Sequence, residues 1–448
     1  MSEKTSLASD RLKPVTRSMP TFRTLTLGCK VNQYETEQLC QTLVEAGFAP
    51  AEEGEAADFC FIHTCTVTRE ADLKSRKAIR QAIRRNPRGR VIVTGCYAKR
   101  AGPVLRSIEG VSEVFSEISD LAGWLRSVGI ERLADGIHRF GERHRAYVKI
   151  QDGCVARCSY CVIPLCRPRL VSRPIEEILR EISRLAENGY REIVLTGIHL
   201  GFYGVDEVGR NVGPGFEELL ERIARMPGEF RVRISSIHAT ELTEGLIETI
   251  CTFPKRICPH VHLSLQSGSD EVLARMNRRY SAAEYVEKCQ RLRQRVEMPA
   301  LTTDVIVGFP GETERDFEQT LKVLRAVGFL KVHTFRFSPR EGTAAARMVQ
   351  TVSSAEKVRR AAEVAELEKS LRKEYLRRLM PIPLQVLVER YCGPRLIRGT
   401  AGHYVPVEMD GDARFVGDLV TALPSSIREG RIVAKLDRDR LRTNGPAD

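Results

Sequence analysis

The sequence predicts an α/β chain in three blocks: an N-terminal doubly wound parallel sheet, a central (βα)6 partial barrel of the TIM type, and a small C-terminal β-barrel. Three observations predict it. Short apolar runs alternate with helical patterns from about residue 22 to 141. The same alternation then recurs six times, to about residue 337. Beyond residue 381 only short strand patterns remain. With 448 residues the chain exceeds one ordinary compact domain, and this reading divides it at 21–141, 142–380 and 381–440.

In the first block FRTLTL (22–27), DFCFI (58–62) and RVIVT (90–94) read as buried strands. Asn32–Ala46 and Thr68–Arg85 carry the amphipathic helical period between them, and a short strand at Val111–Phe115 and a helix at Asp120–Val128 follow. The second block offers strands at 146–151, 192–197, 230–235, 260–266, 303–308 and 331–337, with helices such as Ile175–Asn188 and Phe317–Val327 between them. Six βα units put the chemistry at the strands' carboxyl ends. A charged helix, about Ser354 to Leu379, is closed by Pro381 and Pro383. LQVLVE, RLIRGT, HYVPVE, DLVTALP and RIVAKL then read as a five-stranded barrel.

Hydrophobic residues make up 42% of the chain, enough for real cores. No apolar run reaches the roughly 18 residues of a membrane span. Residues 1–20 are polar, lack a signal core and are expected to be disordered, so the expected location is cytoplasmic, with no membrane partner. In that setting the 13 cysteines point to metal or redox chemistry rather than to disulfides. The net charge of +12 allows an anionic partner. From Lys74 to Arg106 there are 11 Lys/Arg and no Asp or Glu. A solvated helix face is the ordinary reading of such a run. A phosphate-binding stripe, with Lys74, Arg76, Lys77, Arg80 and Arg84 on one helix, is the sharper one. The last block is nearly balanced by contrast, with 9 Lys/Arg against 8 Asp/Glu from Pro381 to Arg440.

Two sets of cysteines carry the chemistry. In GCVARCSYC, Cys154, Cys158 and Cys161 are spaced Cys-x3-Cys-x2-Cys just after the first barrel strand. Three thiolates on one loop can bind three corners of a 4Fe–4S cluster and leave the fourth iron open. The alternatives are free thiols or a zinc site lacking one of its usual four ligands. In the first block Cys29, Cys65 and Cys96 each lie just beyond a strand's carboxyl end. In a parallel sheet those ends share one edge, so the three can converge, and Gly28 and Gly95 permit tight turns before two of them. Cys40 and Cys60 lie inside elements and read as structural thiols. Cys166, Cys251, Cys258, Cys289 and Cys392 carry no functional expectation.

With these two sets in this order, the chain resembles the methylthiotransferase family of radical S-adenosylmethionine (SAM) enzymes, over about Thr21 to Asp437. HLSLQSGSD (262–270), DVIVGFPGET (304–313) and RFSPREGTAAA (336–346) belong to the same resemblance. It implies that Cys154, Cys158 and Cys161 hold a cluster whose open iron binds SAM, which is cleaved reductively to a 5′-deoxyadenosyl radical. It implies that Cys29, Cys65 and Cys96 hold a second, auxiliary 4Fe–4S cluster that supplies the methylthio group. Tyr160 stands where the family has an aromatic beside the SAM adenine. Gln266, Ser267 and Gly268 would offer hydrogen bonds to SAM, and Gly308 a close backbone approach; tight-turn chemistry alone would also explain these runs. One departure is SSIHATEL (235–242), where an acidic residue is expected at His238.

The loop LGCKVNQYETE looks like the branch acting on threonylcarbamoyladenosine just 3′ of the tRNA anticodon. Branches acting on isopentenyladenosine or on a ribosomal-protein aspartate are the alternatives. The resemblance also implies a C-terminal TRAM domain that binds RNA, an anticodon stem-loop as partner, and an electron donor such as a flavodoxin or ferredoxin. The reading from another class is a non-catalytic RNA-binding protein stabilised by a metal.

Overall fold

The structure, a computed structural model, describes residues 19–117, 120–141 and 143–437. Most of the expected N-terminal tail, residues 1–18, and the end of the expected last block, 438–440, lie outside the described residues.

The first block folds as a parallel five-stranded sheet in the order Ala49–Pro50, Thr21–Thr26, Phe59–Thr64, Arg90–Gly95, Val111–Val114. The two-residue strand at 49–50 is too short for its periodicity to be read from sequence. Thr26 pairs with His63 and Thr64 with Gly95, so the carboxyl ends of three strands are level. Helix Arg69–Arg85 starts where the Thr68 side chain accepts the Ala71 N–H. Glu70 and Asp72 lie in its first turn and Arg84 and Arg85 in its last, matching the helix dipole. Its buried residues, Ser75, Ala78, Ile79 and Ala82, recur at helical spacing and leave the basic face to solvent.

The six barrel strands are Arg145–Asp152, Glu192–Gly197, Arg231–Ile234, His260–Ser264, Ala300–Val307 and Lys331–Arg336, joined in parallel pairs. The third is prolonged by Ser236–His238, which pairs with the fourth. The fourth ends before residue 266 because Gln266 turns to φ 69°. Strands 145–152 and 331–336 do not pair with each other, so the barrel is open on that side. Helix Lys30–Glu45 of the first sheet packs against strand 145–152 there. Thr313 and Asp316 form a capping box on helix Glu314–Val327, and Gly328, at φ 62°, ends it.

Helix Ser354–Leu379 packs on strand Lys331–Arg336 and leads into a closed barrel of five strands, Leu384–Tyr391, Leu396–Ala401, Pro406–Asp410, Leu419–Arg428 and Arg431–Leu436. A buried ionic cluster fastens this barrel to the amino ends of the central strands. Glu192 accepts from Arg231 and Arg233 at 2.6–2.8 Å, and these arginines donate onward to the carbonyls of Gln385, Thr400 and Gly402. Burial alone would raise the Glu192 carboxyl; the two guanidiniums outweigh it and hold the group ionised. Among the described residues no helix is long and apolar enough to cross a membrane.

Candidate active site between the two parallel sheets

The three loop cysteines of the first sheet stand at its level edge: Cys29 caps helix Lys30–Glu45, Cys65 follows strand 59–64, and Cys96 opens helix Cys96–Arg106. The backbone at Gly28 has φ 103°, and a Cβ there would lie 2.8 Å from Cys65 Cβ and 3.0 Å from its Sγ. Only glycine lets the Cys29 loop come this close to Cys65. Gly95 makes a similar close approach to Thr64. Cys65 and Cys96 are buried, and that burial pushes both thiols up; at Cys96 the Arg167 guanidinium opposes it.

The second triad sits on the loop after strand Arg145–Asp152. Cys154 donates its N–H to Arg167 O at 3.0 Å, and Cys161 donates to Cys158 O at 3.1 Å. Gly153, at φ 83°, passes so near the returning chain that a Cβ would fall 1.7 Å from Arg169 O. Gly153→Ala is therefore expected to lower stability by about 3 kcal/mol or more and to reduce iron uptake, measured by thermal unfolding and by iron per chain. Burial pushes the Cys161 thiol up to about 12.

Side chains that spacing did not reveal surround this loop. His199, just beyond strand 192–197, puts Nδ1 3.6 Å from Cys154 Sγ and joins Glu241 through Nε2. Burial would lower this imidazole, but Cys154 and Glu241 together raise it to about 9. Arg278 Nη1 lies 3.6 Å from Cys158 Sγ. Position 238 itself is a histidine, and an acid stands three residues on. Glu241 folds back through one 3-10 turn to accept the His238 N–H at 2.8 Å. A cavity of about 930 Å3 opens beside Cys154, Cys158, His199, Glu241 and Arg278, within the size range of small-molecule sites.

The two triads are neighbours. Cys96 packs against Val162 and Cys166, directly after the second triad. Arg167 touches both. Its carbonyl accepts from Cys154, and its Nε lies 3.5 Å from Cys96 Sγ. Its Nη2 reaches Asn32 Oδ1 at 3.2 Å, and Asn32 in turn accepts from Cys29 Sγ at 3.6 Å. Arg167 and Lys149 share the buried Glu35 at 2.6–2.7 Å, so the two sheets are clamped by charge at this point. Arg340, in the loop after the last barrel strand, donates to Thr66 and Asp72 beside Cys65.

The other expected residues divide. Tyr160 packs beside a cluster that includes Phe309 and Phe337. Gln266 is buried at the turn after strand 260–264. Ser267 Oγ lies 3.4 Å from Thr320 Oγ1, and Gly268 donates to the same hydroxyl at 2.9 Å, so both touch helix 314–327. Gly308, at φ 73°, lies against the Lys357 side chain. Lys74, Arg76, Lys77, Arg80 and Arg84 are all exposed on helix 69–85. Lys74 pairs with Glu70, and Arg76 donates to Tyr97 OH.

The donor sets fit iron–sulfur clusters: three sulfurs on neighbouring loops of one sheet edge and three on a single loop, with guanidinium N–H groups at Cys96 and Cys158. An open parallel barrel with such a loop at the end of its first strand defines a radical SAM enzyme. A family profile described as the Radical SAM superfamily matches residues 148–324, and one described as Uncharacterized protein family UPF0004 matches 21–116. The threonylcarbamoyladenosine tRNA methylthiotransferase MtaB of Thermotoga maritima is 36% identical over 93% of this chain and 97% of its own length. That of Bacillus subtilis is 37% identical over 90% and 93%. A tRNA-2-methylthio-N(6)-dimethylallyladenosine synthase from Aquifex aeolicus is 33% identical over 88% and 93%. The chain belongs to the tRNA methylthiotransferase family of radical SAM enzymes. Among solved structures, the radical SAM methyltransferase TsrM from Kitasatospora setae aligns with a TM-score of 0.51 at 14% identity, covering 73% of this chain and 77% of that one. This is a likeness of fold.

Proposed function

We propose that this enzyme converts N6-threonylcarbamoyladenosine at tRNA position 37 to its 2-methylthio derivative, using two 4Fe–4S clusters. The carrying observation is the contact of the two cysteine triads through Arg167. Cys154, Cys158 and Cys161 would hold the SAM-binding cluster, and Cys29, Cys65 and Cys96 the auxiliary one. When bound, these groups supply the radical that removes the adenine C2 hydrogen and the methylthio group that replaces it. The chain's own residues orient and enclose. Arg167 and Asn32 orient Cys96 and Cys29, His199 and Arg278 direct hydrogen bonds at the other loop, and the Glu35 clamp holds the two triads side by side.

Tyr160, Gln266 and Gly308 are proposed to border SAM, with Ser267 and Gly268 shaping the turn that carries Gln266. Residues 21–141 would form the auxiliary-cluster domain, 142–380 the radical SAM domain, and 381–440 a TRAM domain that grips the anticodon stem-loop. A flavodoxin or ferredoxin would deliver electrons.

Lys77, Arg80 and Arg84 would hold tRNA phosphates. Replacing all three by alanine should weaken binding without regard to sequence and flatten the dependence of log K on log salt by about 2 to 3. Anisotropy titrations of a labelled anticodon stem-loop at several salt concentrations measure this. The reaction itself is tested with substrate deuterated at adenine C2, under anaerobic turnover. Deuterium should appear in 5′-deoxyadenosine as the tRNA gains a methylthio group. Unlabelled 5′-deoxyadenosine alongside thiolated product would refute abstraction from C2.

A further inference from the structure

Lys30 directly follows Cys29, yet its side chain leaves the first sheet and enters the open side of the barrel. There Nζ donates to Ser235 Oγ at 2.9 Å. The cavity it enters is about 270 Å3, and Tyr147, Ser235, His262, Asp304 and His333 stand on its wall. That is near the lower end of small-molecule sites, about 300 Å3. Neither cysteine triad uses it.

Its chemistry is that of a site for a polar, acidic group. Among the described residues, no carboxylate lies within ion-pair distance of the half-buried Lys30 ammonium. Asp304 shares the cavity but is engaged by His262, at 3.2 Å. Arg145 and Arg233 also line it, but both are paired with Glu192. His260, 95% buried, spends Nε2 on Thr302 Oγ1 at 3.1 Å and leaves Nδ1 without a partner. Of the fourteen lining residues only Val194 and Ile234 are aliphatic. A hydrocarbon group here would offer no counter-charge to Lys30 and no partner to His260 Nδ1. A threonylcarbamoyl group presents a carboxylate, a hydroxyl and ureido N–H groups. Lys30 lies one residue, about 3.8 Å between Cα atoms, from Cys29. The turn that carries Cys29 therefore also carries the side chain that enters this pocket.

We infer that this cavity receives the acidic N6 substituent of the substrate adenosine and that Lys30 selects it by pairing with its carboxylate. Asp304 is then placed to accept from the hydroxyl or a ureido N–H. This assignment rests on the proposed tRNA reaction and names the residues that distinguish its substrate from a hydrocarbon-bearing one.

The test uses the full-length, cluster-loaded protein and three anticodon stem-loops, carrying threonylcarbamoyladenosine, isopentenyladenosine or plain adenosine. Dissociation constants are measured for wild type, Lys30→Met and Lys30→Arg, with iron per chain determined in each because Cys29 is adjacent. Wild type should prefer the threonylcarbamoyl loop. Lys30→Met should weaken that loop alone by about 10- to 100-fold, the scale of a lost charge-assisted hydrogen bond. Lys30→Arg, which keeps the charge and reports on any damage to the Cys29 loop, should retain most of the preference. If wild type prefers the threonylcarbamoyl loop and Lys30→Met does so equally, the pocket assignment falls and the proposed reaction stands. If wild type prefers the isopentenyl loop, both fall.

Discussion

Cys158→Ala is expected to abolish SAM cleavage. The thiol lies in a loop whose geometry is set independently of it: Gly153 crosses Arg169, Cys154 donates to Arg167, and Ser159 is held by the carbonyls of Arg275 and Met276. Removing one sulfur therefore leaves the fold intact and removes one of three ligands. With two thiolates a cubane cluster has lost a corner. Formation of 5′-deoxyadenosine under dithionite should fall on the order of 1,000-fold or more, as expected for a group the chemistry cannot do without. Iron should fall from about eight to about four per chain. Normal 5′-deoxyadenosine formation by this variant would exclude the loop as the SAM-binding site.

Cys65→Ala separates the two halves of the reaction. Its sulfur faces Gly28 and the auxiliary edge, while the contacts around Cys154, Cys158 and Cys161 come from His199, Arg278 and the Arg167 carbonyl. SAM cleavage should persist within about tenfold of wild type, the range of a change outside the ligand set. Methylthio transfer should be lost, and iron should again fall to about four per chain. Mass spectrometry of the nucleosides, run beside quantification of 5′-deoxyadenosine, reads both. Normal sulfur transfer would mean that Cys29, Cys65 and Cys96 do not hold a sulfur-delivering cluster.

The cysteines were legible in the sequence because one rule covers them all: each follows an apolar run read as a parallel strand, and such strands end on a common edge. The same rule reaches His199, an imidazole just after strand 192–197. It does not reach Arg167, Glu35, Lys149 or Arg278. Their roles arise from docking between elements more than 100 residues apart, as in the Arg167–Glu35 and Arg278–Cys158 contacts. No local period encodes such pairings. Ser267 and Gly268 belong to a run suited to ligand binding, and both contact Thr320 of helix 314–327, a pairing that spacing does not encode. Lys30 was hidden by its own neighbour. The motif around Cys29 does not encode that the next side chain enters the barrel to reach Ser235.

Nucleoside mass spectrometry of tRNA from cells with and without this gene tests the central claim most directly. Loss of 2-methylthio-N6-threonylcarbamoyladenosine, with accumulation of its unthiolated precursor, is the predicted result. An unchanged level of that nucleoside in the deletion strain would contradict it.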